Sequence, residues 1–245
     1  MNKTLIIAAA TIAAAGSWIR AEDSKGWESS AGVNVSVNKG NSDTLLAGAN
    51  FLTLRKWGKN ELTGGLDAVY GDNRDLLTGQ RMTTAQNYGA FLQYNRLVSE
   101  RWYFLGRGDG RQDKVADINY RVTLSPGVGY YFIQREKTKL SAEAGPGVVF
   151  EEFEGGPSSA YFTLRFGEKF SHAFNDKVRL LQQADITPKV DEWTDYVFNM
   201  QATLEADLTA KLSTRLTVQD TYRSHPAPGR RENDLRVLAG VAYKF

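Results

Sequence analysis

The stretch from Leu235 to Phe245 constrains the fold of this chain more than any other. Leu235, Val237, Ala239, Val241, Tyr243 and Phe245 are apolar at every second position, with Arg236, Leu238, Gly240, Ala242 and Lys244 between them. Side chains alternate faces along a strand with period two, so this segment is built to separate an apolar medium from a wetter one.

The chain then stops on an aromatic residue. Gly240, Val241, Tyr243 and Phe245 resemble the terminal assembly signal of bacterial outer-membrane β-barrel proteins. That resemblance implies the outer-membrane barrel assembly machinery as a partner. Leu238, where such signals carry a polar residue, departs from the pattern. A soluble barrel can also finish on an alternating strand, so a soluble periplasmic barrel is the alternative on fold.

The amino terminus favours export. Met1-Asn2-Lys3-Thr4 is short and basic, Leu5 to Ala15 is apolar and Ala-rich, and Gly16-Ser17 leads to a cleavage site after Ala21. This is the layout of a secretory signal peptide, with an apolar run too short to span a membrane as a helix. The expected organisation is therefore a leader over residues 1–21 and one β-barrel domain over 22–245. Removing the leader takes away Lys3 and Arg20, so the 30 basic residues of the whole chain become 28, equal to its 28 acidic ones. A balanced mature chain gives no support for nucleic-acid binding. The absence of Cys leaves no disulfide framework and no thiolate metal site.

Mean hydropathy is −0.41, which is compatible with a membrane barrel because a barrel strand offers lipid only alternate residues. Alternation and turn chemistry divide the mature chain into about twelve strands. They fall near 27–38, 44–56, 61–72, 84–97, 102–112, 118–132, 139–150, 159–172, 177–187, 194–208, 212–223 and 234–245. Segments 44–56 and 177–187 alternate poorly, and Gln182 and Asp220 fall on the lipid face in this register, which points to a slipped register or a bulge there. Connections at one end are short, at 57–60, 98–101, 133–138, 173–176 and 209–211. Those at the other end are mostly longer and polar, the first, 39–42, being the exception. That asymmetry places both termini on the periplasmic side. Trp27, Trp57, Trp102 and Trp193 fall at strand ends, as an aromatic girdle requires.

The inner rows carry many charges: Arg107, Asp109, Arg111, Arg121, Glu143, Arg165, Lys169, Asp185, Glu205, Asp207, Arg215 and Arg236. Isolated charges in a dry interior are prohibitive, so these must be paired or wet. One reading is a salt-bridge network that fills a narrow barrel. The other is a watery lumen whose charges select solutes.

Further residues are similar to a known family. Gly32-Val33-Asn34-Val35-Ser36-Val37-Asn38-Lys39-Gly40-Asn41-Ser42 resembles the opening Gly-Asn-Ser/Thr motif of the salt-induced outer membrane protein family, whose function is not established. Trp102-Tyr103-Phe104, Arg107-Gly108-Asp109, Asp113, Arg121, Pro126 to Tyr130 and Glu143 to Gly147 extend the match across the mature chain. The resemblance implies a barrel in the outer membrane of a Gram-negative-type envelope, surrounded by outer-membrane lipids and lipopolysaccharide, and linked to salt or acid stress. It transfers no catalytic residue and no cofactor.

Signs of catalysis are sparse. Of the two His residues, His172 lies near a short turn, with Ser171 on the opposite strand face, and His225 lies in the last long loop beside Ser224. A Ser–His hydrolase needs an orienting third group as well. The acid pairs Asp72/Asp75 and Asp191/Asp195 fall in exposed loops, where acids are common, and Arg230-Arg231 reads as a solvated loop charge, with contact to lipopolysaccharide phosphates as the alternative. Three function classes follow: a narrow passive channel for ions or small polar solutes, a closed structural barrel, and an outer-membrane hydrolase.

Overall fold

The computed structural model describes residues 26–38, 43–74, 80–226 and 232–245. The expected leader over residues 1–21, the Lys39–Ser42 end of the opening motif, Asp75 and Arg230-Arg231 lie outside the described residues.

Twelve strands run in sequence: β1 (Trp27–Asn38), β2 (Asp43–Trp57), β3 (Asn60–Arg74), β4 (Arg81–Leu97), β5 (Trp102–Asp113), β6 (Ile118–Gln134), β7 (Thr138–Phe153), β8 (Ser158–Ala173), β9 (Val178–Pro188), β10 (Tyr196–Asp207), β11 (Leu212–Arg223) and β12 (Asn233–Lys244). Each pairs antiparallel with its sequence neighbours, and β1 pairs with β12 to close a transmembrane-type barrel. Closure removes the open edges that a membrane does not tolerate, since unpaired backbone groups have no partner in hydrocarbon. The last contacts run between the backbones of Ser29 and Phe245, at 3.0 and 3.3 Å.

Alternation decides the faces. On β12, Leu235, Val237, Val241, Tyr243 and Phe245 are exposed outward, whereas Arg236, Leu238 and Ala242 are buried inward. The outward rows of β6 and β7, including Val122, Leu124, Val128, Phe132 and Phe150, are likewise exposed. Aromatic residues collect at both ends of this belt. Trp102, Tyr130 and Phe132 meet edge to face in series near the short turns, with ring centroids 4.8 and 5.0 Å apart. Tyr196 and Tyr222 pack at the long-loop end as a tilted pair, 5.9 Å apart. Trp27 and Trp57 flank Arg55 at the turn end, and Trp193 is exposed in the β9–β10 connection.

The two weakly alternating segments are regular strands, not slipped ones. β2 pairs without interruption along β1 and β3. Its pattern is blurred because Leu52 and Leu54 are buried inside the barrel opposite the outward row of β2. β9 runs in continuous register with β10. Gln182 does face outward, diagonally across from Glu168 on β8, and its amide donates to the Glu168 carboxylate at 3.3 Å. Asp220 also sits in the outward row of β11, between Met200 and Leu235. Register shifts occur elsewhere, at Gly71/Asp72, Arg111/Asp113, Ile118/Tyr120 and Tyr131/Ile133.

Candidate functional site in the barrel lumen

The half of the lumen nearer the short turns is filled by side chains. Leu52 packs on Phe91, Tyr103 packs with Leu105 and Tyr131, and Leu181 and Leu238 are buried from other strands. Leu238, out of place in the terminal motif, therefore contributes to an apolar lumen filling.

Charges are embedded in this filling through two carboxylates. Glu143 on β7 accepts hydrogen bonds at Oε1 from Lys169 Nζ (2.7 Å), Gln93 Nε2 (2.9 Å) and the Tyr103 hydroxyl (3.1 Å), and at Oε2 from Arg165 Nη1 (2.9 Å). Gln93 turns its carbonyl to Lys169 and Arg107, each at 3.1 Å. Arg107 then clasps Asp109 through Nε and Nη2 and lies 4.7 Å over the Phe91 ring. The second carboxylate, Glu205 on β10, pairs with Arg179, with Arg215 at 2.6 Å and with Lys244 at 3.1 Å, while Asp207 joins through Lys244 and Arg179. The charged donors around Glu143 and Glu205 offset the cost of burying them.

Above the Glu143 cluster the lumen opens toward the long loops as a cavity of about 740 Å³. Its walls include Asp67, Phe91, Arg107, Asp109, Arg111, Arg121, Glu151, Arg165, Asp185 and Asn199. Arg121 is paired with Glu151 at 2.6 Å, and Asp185 accepts from Asn199 Nδ2 at 3.3 Å. Ile118, Phe153 and Tyr161 form an apolar and aromatic rim.

The twelve charges named from the sequence thus divide among four places. Glu143, Arg165, Lys169, Arg107 and Asp109 form the first cluster, and Glu205, Asp207 and Arg215 form the second. Arg111, Arg121 and Asp185 line the cavity, and Arg236 is buried on β12 within electrostatic reach of Asp67. Sequence reading missed Asp67, Gln93, Glu151 and Arg179; it put Lys244 on the wetter row of the last strand without naming it among the lumen charges. Parity on their strands carries a signal for Asp67 and Gln93, since each shares a row with the buried Thr63 or Asn95. Arg179 lies on the poorly alternating β9, where no such signal exists.

Of the terminal motif, Val241, Tyr243 and Phe245 face outward, and Phe245 stacks on Tyr243 and on Phe51. Gly240 faces β1, where a Cβ would collide with the Val33 carbonyl and Asn34. His172 faces outward between Phe170 and Phe174 and shares a hydrogen bond with Thr138, whereas Ser171 is buried on the inner face. His225 Nδ1 lies 3.2 Å from Ser224 Oγ, which also donates to the Tyr196 carbonyl. Among the described residues no carboxylate orients His225. Asp72 pairs with Arg81 at 3.6 Å and Asp195 with Lys189.

A closed twelve-strand barrel with an outward apolar belt defines an outer-membrane-type β-barrel protein. Within that class the chain belongs to the family described as protein of unknown function DUF481, whose model matches residues 31–245. Among solved structures the chain is similar to the NanC porin, with a TM-score of 0.57 at 10% identity over 89% of this chain and 100% of that one. It is also similar to an outer membrane channel from Pseudomonas putida F1, with a TM-score of 0.55 at 9% identity over 93% and 98% of the two chains. At these identities the likeness is one of fold. No curated protein sequence matches the chain.

Proposed function

We propose that this protein is a narrow passive channel for ions or small polar solutes in the outer membrane. The observation that carries this reading is the charged cavity of about 740 Å³, which opens at the long-loop end and reaches Arg107 and Arg165. Fold likeness to a porin and to an outer membrane channel supports it. Beyond the cavity lies the side-chain-filled half of the lumen, so in this reading a passing ion exchanges partners along the Arg107, Asp109, Gln93, Glu143 and Lys169 network that threads that filling. In this reading residues 1–21 are a cleaved export leader, both termini face the periplasm, and the terminal motif engages the barrel assembly machinery. The likeness to salt-induced outer membrane proteins adds a role in envelope adaptation to salt.

The experiment is single-channel recording of the refolded mature protein in a planar bilayer, beside an Arg107→Ala variant. Discrete steps whose ion selectivity changes in the variant would establish the channel. A second reading, a closed structural barrel, is favoured by the dense packing around Glu143 and Glu205. It predicts silence from protein whose heat-modifiable gel migration proves that it is folded.

A further inference from the structure

Asp67, Gly89 and Arg111 lie side by side across β3, β4 and β5: Asp67 pairs with Gly89, and Gly89 pairs with Arg111. All three line the cavity. Gly89 has no side chain to separate its neighbours, and a Cβ there would run into the Asp67 carboxylate. The acid and the guanidinium therefore face one another over bare backbone.

Most other cations on the cavity wall are already engaged. Arg107 is held by Asp109, Arg121 by Glu151, Arg165 by Glu143 and Lys189 by Asp195, and Arg223 has a partner as well. Arg111 differs: among the described residues it makes neither a hydrogen bond nor an ion pair, and it borders the open cavity. The charges that act on it are Asp67, Asp113, Asp109 and Arg121. Of those acids, Asp109 is clasped by Arg107, and Asp113 accepts the backbone amides of Val115 and Ala116. Asp67 remains, with both oxygens buried and no hydrogen-bond partner among the described residues. Its compensation is electrostatic, from Arg111 and Arg236.

We propose that Arg111 is the docking point of the cavity for a small organic carboxylate, and that Asp67 is the internal counter-ion with which this solute competes. A guanidinium presents a planar fork that matches a carboxylate in two parallel hydrogen bonds. On the same cavity wall Phe153 and Tyr161 offer apolar surface to the solute's carbon skeleton. The proposal deepens the channel reading by naming its solute class, and it rests on that reading for transport but not for binding.

The test uses sodium gluconate as the probe and sorbitol as its uncharged control. Binding to the refolded barrel in detergent is read by ligand-observed NMR, and transport by gluconate block of single-channel current. Gluconate is expected to bind and sorbitol not to. Arg111→Gln should weaken gluconate binding about tenfold or more, the loss expected of a charge-assisted hydrogen bond. Arg111→Lys should retain part of it. Asp67→Asn should strengthen binding, because it removes the competing negative charge, and a merely structural Asp67 would not produce that gain. Equal gluconate binding by wild type and by a folded Arg111→Gln variant would overturn the proposal, as would weaker binding in folded Asp67→Asn. Arg111-dependent binding without any current would uphold the docking point while ending the channel reading.

Discussion

The phenol ring of Tyr103 occupies the space that a side chain on residue 129 would need. The two residues are direct partners across β5 and β6, and a Cβ on Gly129 would come within 2.1 Å of the ring's hydroxyl end. Gly129 thus lets Tyr103 lie flat on the inner wall, from where its hydroxyl reaches Glu143 at 3.1 Å.

Gly129→Ala should therefore destabilise the barrel by about 1–3 kcal/mol, the usual cost of overpacking a well-filled interior. It should also displace Tyr103 from Glu143. The check is urea unfolding of the refolded protein followed by tryptophan fluorescence, with Gly106→Ala as the control. At Gly106 an added Cβ meets nothing within 4 Å.

Glu143→Gln should cost about 3–5 kcal/mol, because it leaves Lys169 and Arg165 without the carboxylate that both contact. Glu143→Gln combined with Lys169→Met removes one stranded cation and should recover part of that loss. The unfolding free energies of the two single variants and the double variant measure the coupling directly.

Asp220 faces the lipid side of β11 with its Oδ1 buried and unpartnered among the described residues. Asp220→Val should leave stability unchanged or raise it by about 1 kcal/mol, since a lipid-facing carboxylate carries a depth-dependent penalty. Reversible unfolding in lipid vesicles would test this, and a loss above that size would mean that the carboxylate has a partner in the membrane.

Among the described residues the β1–β12 seam is the shortest in the barrel. Its register runs through six pairs, from Ser30↔Lys244 to Val35↔Ala239, whereas β2 and β3 share fifteen. Amides of Leu235 to Leu238 that point toward β1 should exchange with deuterium faster than those pointing toward β11. Exchange mass spectrometry in detergent, resolved to single amides, checks this; equal protection on both sides would show the seam to be sealed along its full length.

Much of this fold was legible in the chain. Twelve strands fall within a few residues of where period-two alternation places them, and Leu235 to Phe245 shows its outward row plainly. Legibility failed where both faces of a strand are apolar, as at Leu52 and Leu54, and where a polar residue turns to lipid, as at Gln182. In the first case lumen filling imitates a buried strand. In the second, Glu168 on the next strand supplies the hydrogen bond, and no local pattern announces it.

The strands, their faces and the short and long ends of the barrel follow from neighbouring residues and from the medium each face meets, so they can be read along the chain. Which inward charges are engaged and which is left open depends instead on contacts between distant strands. Gln93, Glu143 and Lys169 meet across the lumen from three separate strands, and Arg111 finds itself opposite Asp67 because Gly89 lies between them. Pairing across a barrel depends on strand order, register and the room left by small residues. Those quantities exist only once the sheet has closed.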